Sequence, residues 1–93
     1  MINLYQKTWS EINIGIAKRI VLLRKRKKIT QKELAIKSGV SLGSIKRFEQ
    51  CGEISLQSLT KIAISLDIEN ELEDLFTEVP FTSIEEVING QTR

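Results

Sequence analysis

Residues 30–52, TQKELAIKSGVSLGSIKRFEQCG, spell two short helices joined by a tight turn. Thr30 followed by Glu33 forms a capping box that starts the first helix. Leu34 and Ala35 give that helix a buried edge, with Ala35 small enough for a second helix to cross closely. Gly39 supplies a left-handed exit, Val40 a plug for the core, and Ser41 a cap for the second helix, which carries Ile45 and Phe48 on its inner face. Its outward positions are Leu42, Gly43, Lys46, Arg47 and Gln50, a polar and basic set. The spacing is that of a helix-turn-helix, with the second helix as the element that enters the major groove of duplex DNA.

The charge distribution points the same way. Residues 1–48 hold twelve Lys and Arg against Glu11 and Glu33, a balance of +10. Residues 49–93 hold Lys61 and Arg93 against ten acidic residues, a balance of −8. A basic half that contains the reading helix is a footprint for a polyanion, whereas the run RKRKK at 24–28 alone would equally suit a solvated helix. The acidic half is expected to face away from phosphate.

Ninety-three residues allow one domain with a modest core, and 41% hydrophobic content is ordinary for a globular fold. Cys51 stands alone and the chain has no His, so neither an internal disulfide nor the usual zinc and copper ligand sets can be assembled within it. No Gly-rich phosphate loop or clustered acid pair offers chemistry, so an enzyme is not expected and no cofactor is implied. The start MINLYQKTW lacks an apolar run of signal-peptide length, and no segment approaches the roughly 20 apolar residues that cross a bilayer. The expectation is a soluble, cytoplasmic protein without membrane contact.

Helical periodicity runs along most of the chain and no segment alternates strictly enough for a strand, so the fold class is all-α. The spacing predicts a first helix from about Ser10 to about Lys27 with Ile12, Ile16, Ile20 and Leu23 on one face. A fourth helix follows, capped by Ser55, with Leu56, Leu59, Ile62, Ala63 and Leu66 as its core face. Asp67 to Asn70 reads as a loop. A short acidic fifth helix from about Glu71 to Phe76 is anchored by Leu72, Leu75 and Phe76. Beyond Pro80, overlapping capping boxes at Thr82–Glu85 and Ser83–Glu86 predict a last short helix ending at Gly90. The division is an N-terminal extension (1–9), a DNA-binding domain (10–76) and a tail (77–93).

The stretch from about Ile16 to Ile68 resembles the bacterial and phage repressors typified by the lambda, Cro and XRE regulators. Ile16, Ile20 and Arg24, then Thr30, Gln31, Leu34 and Ala35, then Gly39, Val40, Ser41, Ile45, Arg47 and Glu49, then Leu59, Ile62, Ala63 and Leu66 carry the resemblance. It implies a compact five-helix, lambda-repressor-like bundle, here with a short helical tail. It also implies a homodimer whose two reading helices enter successive major grooves of a pseudo-palindromic operator. A salt bridge from Arg24 to Glu49 across the bundle is implied as scaffold, and a phosphate grip by Gln31 at the start of the second helix; otherwise Gln31 is an exposed polar helix end. Two departures from the family pattern stand out. Lys28 stands where a glycine is frequent, which predicts a strained or altered exit from the first helix. Leu42 and Gly43 stand where amide side chains are frequent, which shifts base reading to Arg47, Lys46 and a methyl contact from Leu42. The segments FEQCGEISLQSL and LEDLFTEVPFTSIEEV also resemble HipB-type antitoxins, which implies a toxin as a further partner held by the acidic tail.

Arg47 can donate two parallel hydrogen bonds to the O6 and N7 edge of guanine, a geometry Lys lacks; its alternative is an intrahelical or phosphate contact. Lys46, Ser41 and Ser44 suit phosphate better than sequence, and Lys25, Lys27, Lys28 and Lys32 add attraction that salt screens. Trp9 either closes the bottom of the core or meets a partner chain, with the core favoured. Cys51 is expected to be a partly buried, inert thiol. Ile12, Ile14 and Tyr5 exceed what a minimal core needs and suggest part of a dimer surface. The expected function is a sequence-specific DNA-binding regulator, a homodimeric repressor. The alternatives are an antitoxin that autoregulates its operon or a protein-interaction module.

Overall fold

Capping chemistry sets where the main helices begin in the computed structural model, which describes residues 6–78. Five helices occur in that range: α1 (Trp9–Arg26), α2 (Gln31–Ser38), α3 (Leu42–Cys51), α4 (Leu56–Ser65) and α5 (Glu69–Glu73). No strand occurs among the described residues. Tyr5, Pro80 and the helix expected over 82–90 lie outside the described residues.

α1 starts two residues earlier than Ser10 as cap would give. Thr8 is the N-cap; its Oγ1 accepts from the Glu11 N–H at 3.1 Å, and Glu11 reaches back to the Thr8 N–H. Ser10 is followed three residues later by Asn13, so it has no reciprocal acid and loses the competition. Thr30 and Glu33 close the same box on α2, and these hydrogen bonds hold the Glu33 carboxyl below its ordinary pKa. Ser41 and Ser55 cap α3 and α4 through the N–H groups of Ser44 and Ser58.

The core gathers Ala17 and Ile20 from α1, Leu34 from α2, Val40 from the turn, Ile45 and Phe48 from α3, and Ile62, Ala63 and Leu66 from α4 and its C-cap. Phe48, Leu34, Ile45, Ile62 and Leu66 are fully buried, and each such side chain contributes roughly 1.5–3 kcal/mol on leaving water. α1 packs on α3, α2 on both α3 and α4, and α5 on α4.

Several apolar residues expected inside lie outside. Trp9 is 74% exposed and Leu56 70%, because each is the first residue of its helix and that turn projects past the core. Ile12 is 49% exposed, as Ala17, Ile20 and Arg24 take the buried face of α1. The Asp67–Asn70 loop is shorter than expected. Asp67 turns left-handed at φ 59°, and α5 begins at Glu69 and ends at Glu73. Phe76 therefore falls beyond α5, at φ 63° and 83% exposed, and does not anchor it. Lys28 occupies φ 57°, the strained exit from α1 that the absent glycine predicted.

Gly39 (φ 75°) and Gly52 (φ 76°) end α2 and α3 in the left-handed conformation. A Cβ on Gly39 would meet nothing, whereas one on Gly52 would lie 2.8 Å from the carbonyl carbon of Asn13 and 3.0 Å from the Ile14 nitrogen. The α1 backbone cannot yield as a side chain would. Gly39→Ala is expected to cost about 1–2 kcal/mol from conformation alone. Gly52→Ala should cost visibly more, and urea unfolding of the two variants side by side measures the difference.

Candidate nucleic-acid interface

α3 turns Ile45 and Phe48 into the core and Glu49 towards α1, which leaves Gly43, Lys46, Arg47 and Gln50 exposed on the opposite side. Leu42 is half-buried at the edge of that face. Ser41 and Ser44 are exposed beside it, and Lys32 is exposed in the first turn of α2. The two serines are engaged with each other: the Ser41 hydroxyl donates to Ser44 Oγ at 2.8 Å and accepts from the Ser44 N–H at 3.1 Å. Their first task is thus to cap α3.

The end of α3 is further braced by a buried polar cluster. Arg24 donates from Nε to Glu49 Oε2 at 2.8 Å, from Nη2 to Glu49 Oε1 at 2.9 Å, and from Nη1 to the Ile29 carbonyl at 2.8 Å. Both side chains are less than a tenth exposed. Gln31 joins through Nε2, which donates to Glu49 Oε1 at 2.9 Å. One carboxylate therefore ties the last turn of α1, the start of α2 and the end of α3. Gln31 keeps the second N–H of its amide, and with it the backbone N–H groups of the helix start, for any phosphate.

Arg47 is held by a residue that the sequence reading missed. Its Nε donates to Glu53 Oε2 at 2.7 Å, and Nη2 lies 2.6 Å from the same oxygen. The hydrogen bond and the guanidinium charge push the Glu53 carboxyl below its ordinary pKa, and the carboxylate raises that of Arg47. Gly52 was the available signal, since a left-handed residue after a helix reverses the chain and brings the next side chain alongside the last turn. Cys51 is exposed, against the expectation of partial burial, because Phe48 and Glu49 take the inward positions of that turn. Its Sγ donates to the Arg47 carbonyl at 3.0 Å.

Among the basic residues outside α3, Lys25 and Lys28 are exposed, and Lys27 pairs at 3.6 Å with Asp67 on the surface. No cluster of His, Cys, Asp and Glu able to hold a metal ion occurs among the described residues, and no helix there is long and apolar enough to cross a membrane.

A capped two-helix unit with a left-handed glycine between its helices, braced by a third helix and presenting a basic outward face, defines a helix-turn-helix DNA-binding protein. The family model of the Cro/C1-type HTH DNA-binding domain matches residues 19–80, about two thirds of the 93-residue chain. The chain belongs to that family. No curated protein matches it at a significant level.

Proposed function

We propose that the protein is a sequence-specific transcriptional regulator, a homodimeric repressor that lays the outward face of α3 in the major groove of each half of a pseudo-palindromic operator. The observation that carries this reading is that Gly43, Lys46, Arg47 and Gln50 form one exposed face of α3 with no role in the core. Gly43 lets the helix approach the base edges closely, with open space where a Cβ would stand. Lys32 and Lys46 attract phosphate, and Arg47 reads. The exposed Trp9 and Ile12 support a second copy as partner, since large apolar side chains at one helix end favour association.

Sequencing duplexes retained by the purified protein from a random pool tests the reading; recovery of no symmetric motif would reject it. On the selected operator, Arg47→Ala is expected to lose about 5- to 150-fold in affinity per half-site and to flatten preference at one guanine. Lys46→Ala should weaken all duplexes about equally. Titrations on the operator and its single-base variants check both. An Arg47→Ala protein that keeps the wild-type ranking would make Arg47 a phosphate contact.

A further inference from the structure

We propose that Glu53 is a specificity-determining positioning residue, which holds Arg47 so that only the end of its guanidinium meets a base. The inference rests on the reading of Arg47 as base contact and adds a residue outside the reading helix.

A guanidinium has five N–H groups in a fixed plane. Glu53 Oε2 takes the edge formed by Nε and the nearer hydrogen of Nη2, at 2.7 and 2.6 Å. Both hydrogens of Nη1 and the outer one of Nη2 remain. The outer hydrogens of the two Nη atoms run parallel, and that fork fits guanine O6 and N7. The edge that is occupied is therefore the one the base does not need.

The carboxylate also acts on the alternatives open to Arg47. An unheld arginine on this face can swing to a phosphate, which gains attraction without sequence information. A negative charge fixed beside it repels that phosphate and removes net positive charge from the face. The penalty falls on every duplex, while the oriented fork repays it only at guanine. Specificity is such a difference of affinities. Holding the long side chain beforehand also reduces the ordering cost of binding.

The placement of Glu53 is built into the fold. Gly52 is buried, left-handed at φ 76°, and pressed on the α1 backbone at Asn13 and Ile14. Two residues beyond Glu53, Ser55 caps α4. The chain around Glu53 is thus anchored on both sides, which keeps its carboxylate alongside the Arg47 turn of α3.

The test measures affinities of wild type, Glu53→Gln, Arg47→Ala and the double variant on the selected operator, its single-base variants and a random duplex, with thermal unfolding of each. Glu53→Gln is expected to bind random duplex several-fold more tightly and to lose about tenfold discrimination at the base position that Arg47→Ala flattens. Its unfolding should match wild type. In the Arg47→Ala background the same change should leave the ranking of operators unaltered. If Glu53→Gln raises affinity for all duplexes equally with the ranking intact, Glu53 is a repulsive charge only and the inference falls. An unchanged protein would overturn it too. If Arg47→Ala itself leaves the ranking untouched, the reading of Arg47 fails and this inference with it; if Arg47→Ala flattens one position and Glu53→Gln does not, only the role of Glu53 is lost.

Discussion

Raising monovalent salt from about 50 to about 200 mM is expected to weaken operator binding by roughly 10³- to 10⁵-fold, the loss that follows when ~6 to 10 phosphates are neutralised and their counterions released. The estimate follows from which cations are exposed. Lys46 on the α3 face and Lys32 in the first turn of α2 have no salt-bridge partner among the described residues, and Lys25 and Lys28 at the end of α1 are likewise exposed. Arg24 is spent on Glu49, Lys27 is shared with Asp67, and Arg47 with Glu53. These four cations per protomer, Lys25, Lys28, Lys32 and Lys46, give a dimer about eight, the middle of that phosphate range, before Gln31 and the helix N-termini are added. The acidic residues of α5 do not cancel Lys46, since α5 packs on α4 rather than on the reading helix. Titration of a labelled operator across the salt range gives the slope directly. A flat response would mean that phosphate is not the partner of the basic half.

The parts of the fold that were legible in the sequence are those marked by neighbouring residues. Thr30 with Glu33, Gly39, Ser41 and Gly52 each act within one turn of chain, so α2, the turn and α3 follow from local chemistry. The outward face of α3 follows from the inward one, because Ile45 and Phe48 fix the rotation of the helix. Periodicity was less reliable at helix ends. It assigns Ile12 and Leu56 to a face, but a face is buried only where another helix covers it, and the first turns of α1 and α4 are uncovered. α5 shows a second limit: Asp67 adopts φ 59°, a conformation that glycine would have signalled and aspartate does not announce. At the interface, Arg24–Glu49 came through family resemblance, but the third arm from Gln31 and the bond to the Ile29 carbonyl required coordinates. Arg47–Glu53 pairs residues six apart across a chain reversal, a spacing that no helical or strand period singles out.

Arg24→Ala is expected to destabilise the protein by about 3–5 kcal/mol, because it leaves a buried carboxylate without its counter-charge. Glu49 would keep only the neutral amide of Gln31, and the Ile29 carbonyl would lose the donor at 2.8 Å that it has in the wild type. For a domain whose total stability is of the order of 5–15 kcal/mol, such a loss is a large share. The size of the effect is a statement about the stranded charge and not about the net worth of the pair. Replacing both partners by apolar residues of similar length, Arg24→Met with Glu49→Leu, should therefore recover most of it, since the desolvation cost of both ions disappears together. What the double variant should not recover is geometry. The Glu49 carboxylate bonds side chains of both α1 and α2 from its place on α3, and without it the start of α2 loses its hydrogen bond to the end of α3. Urea unfolding is expected to place the double variant near wild type and Arg24→Ala far below. Operator affinity, measured where each protein is folded, should remain reduced in the double variant. An Arg24→Ala protein that unfolds with wild type would show that the pair carries no stability. A double variant that is stable and binds normally would show that apolar packing alone orients the reading helix.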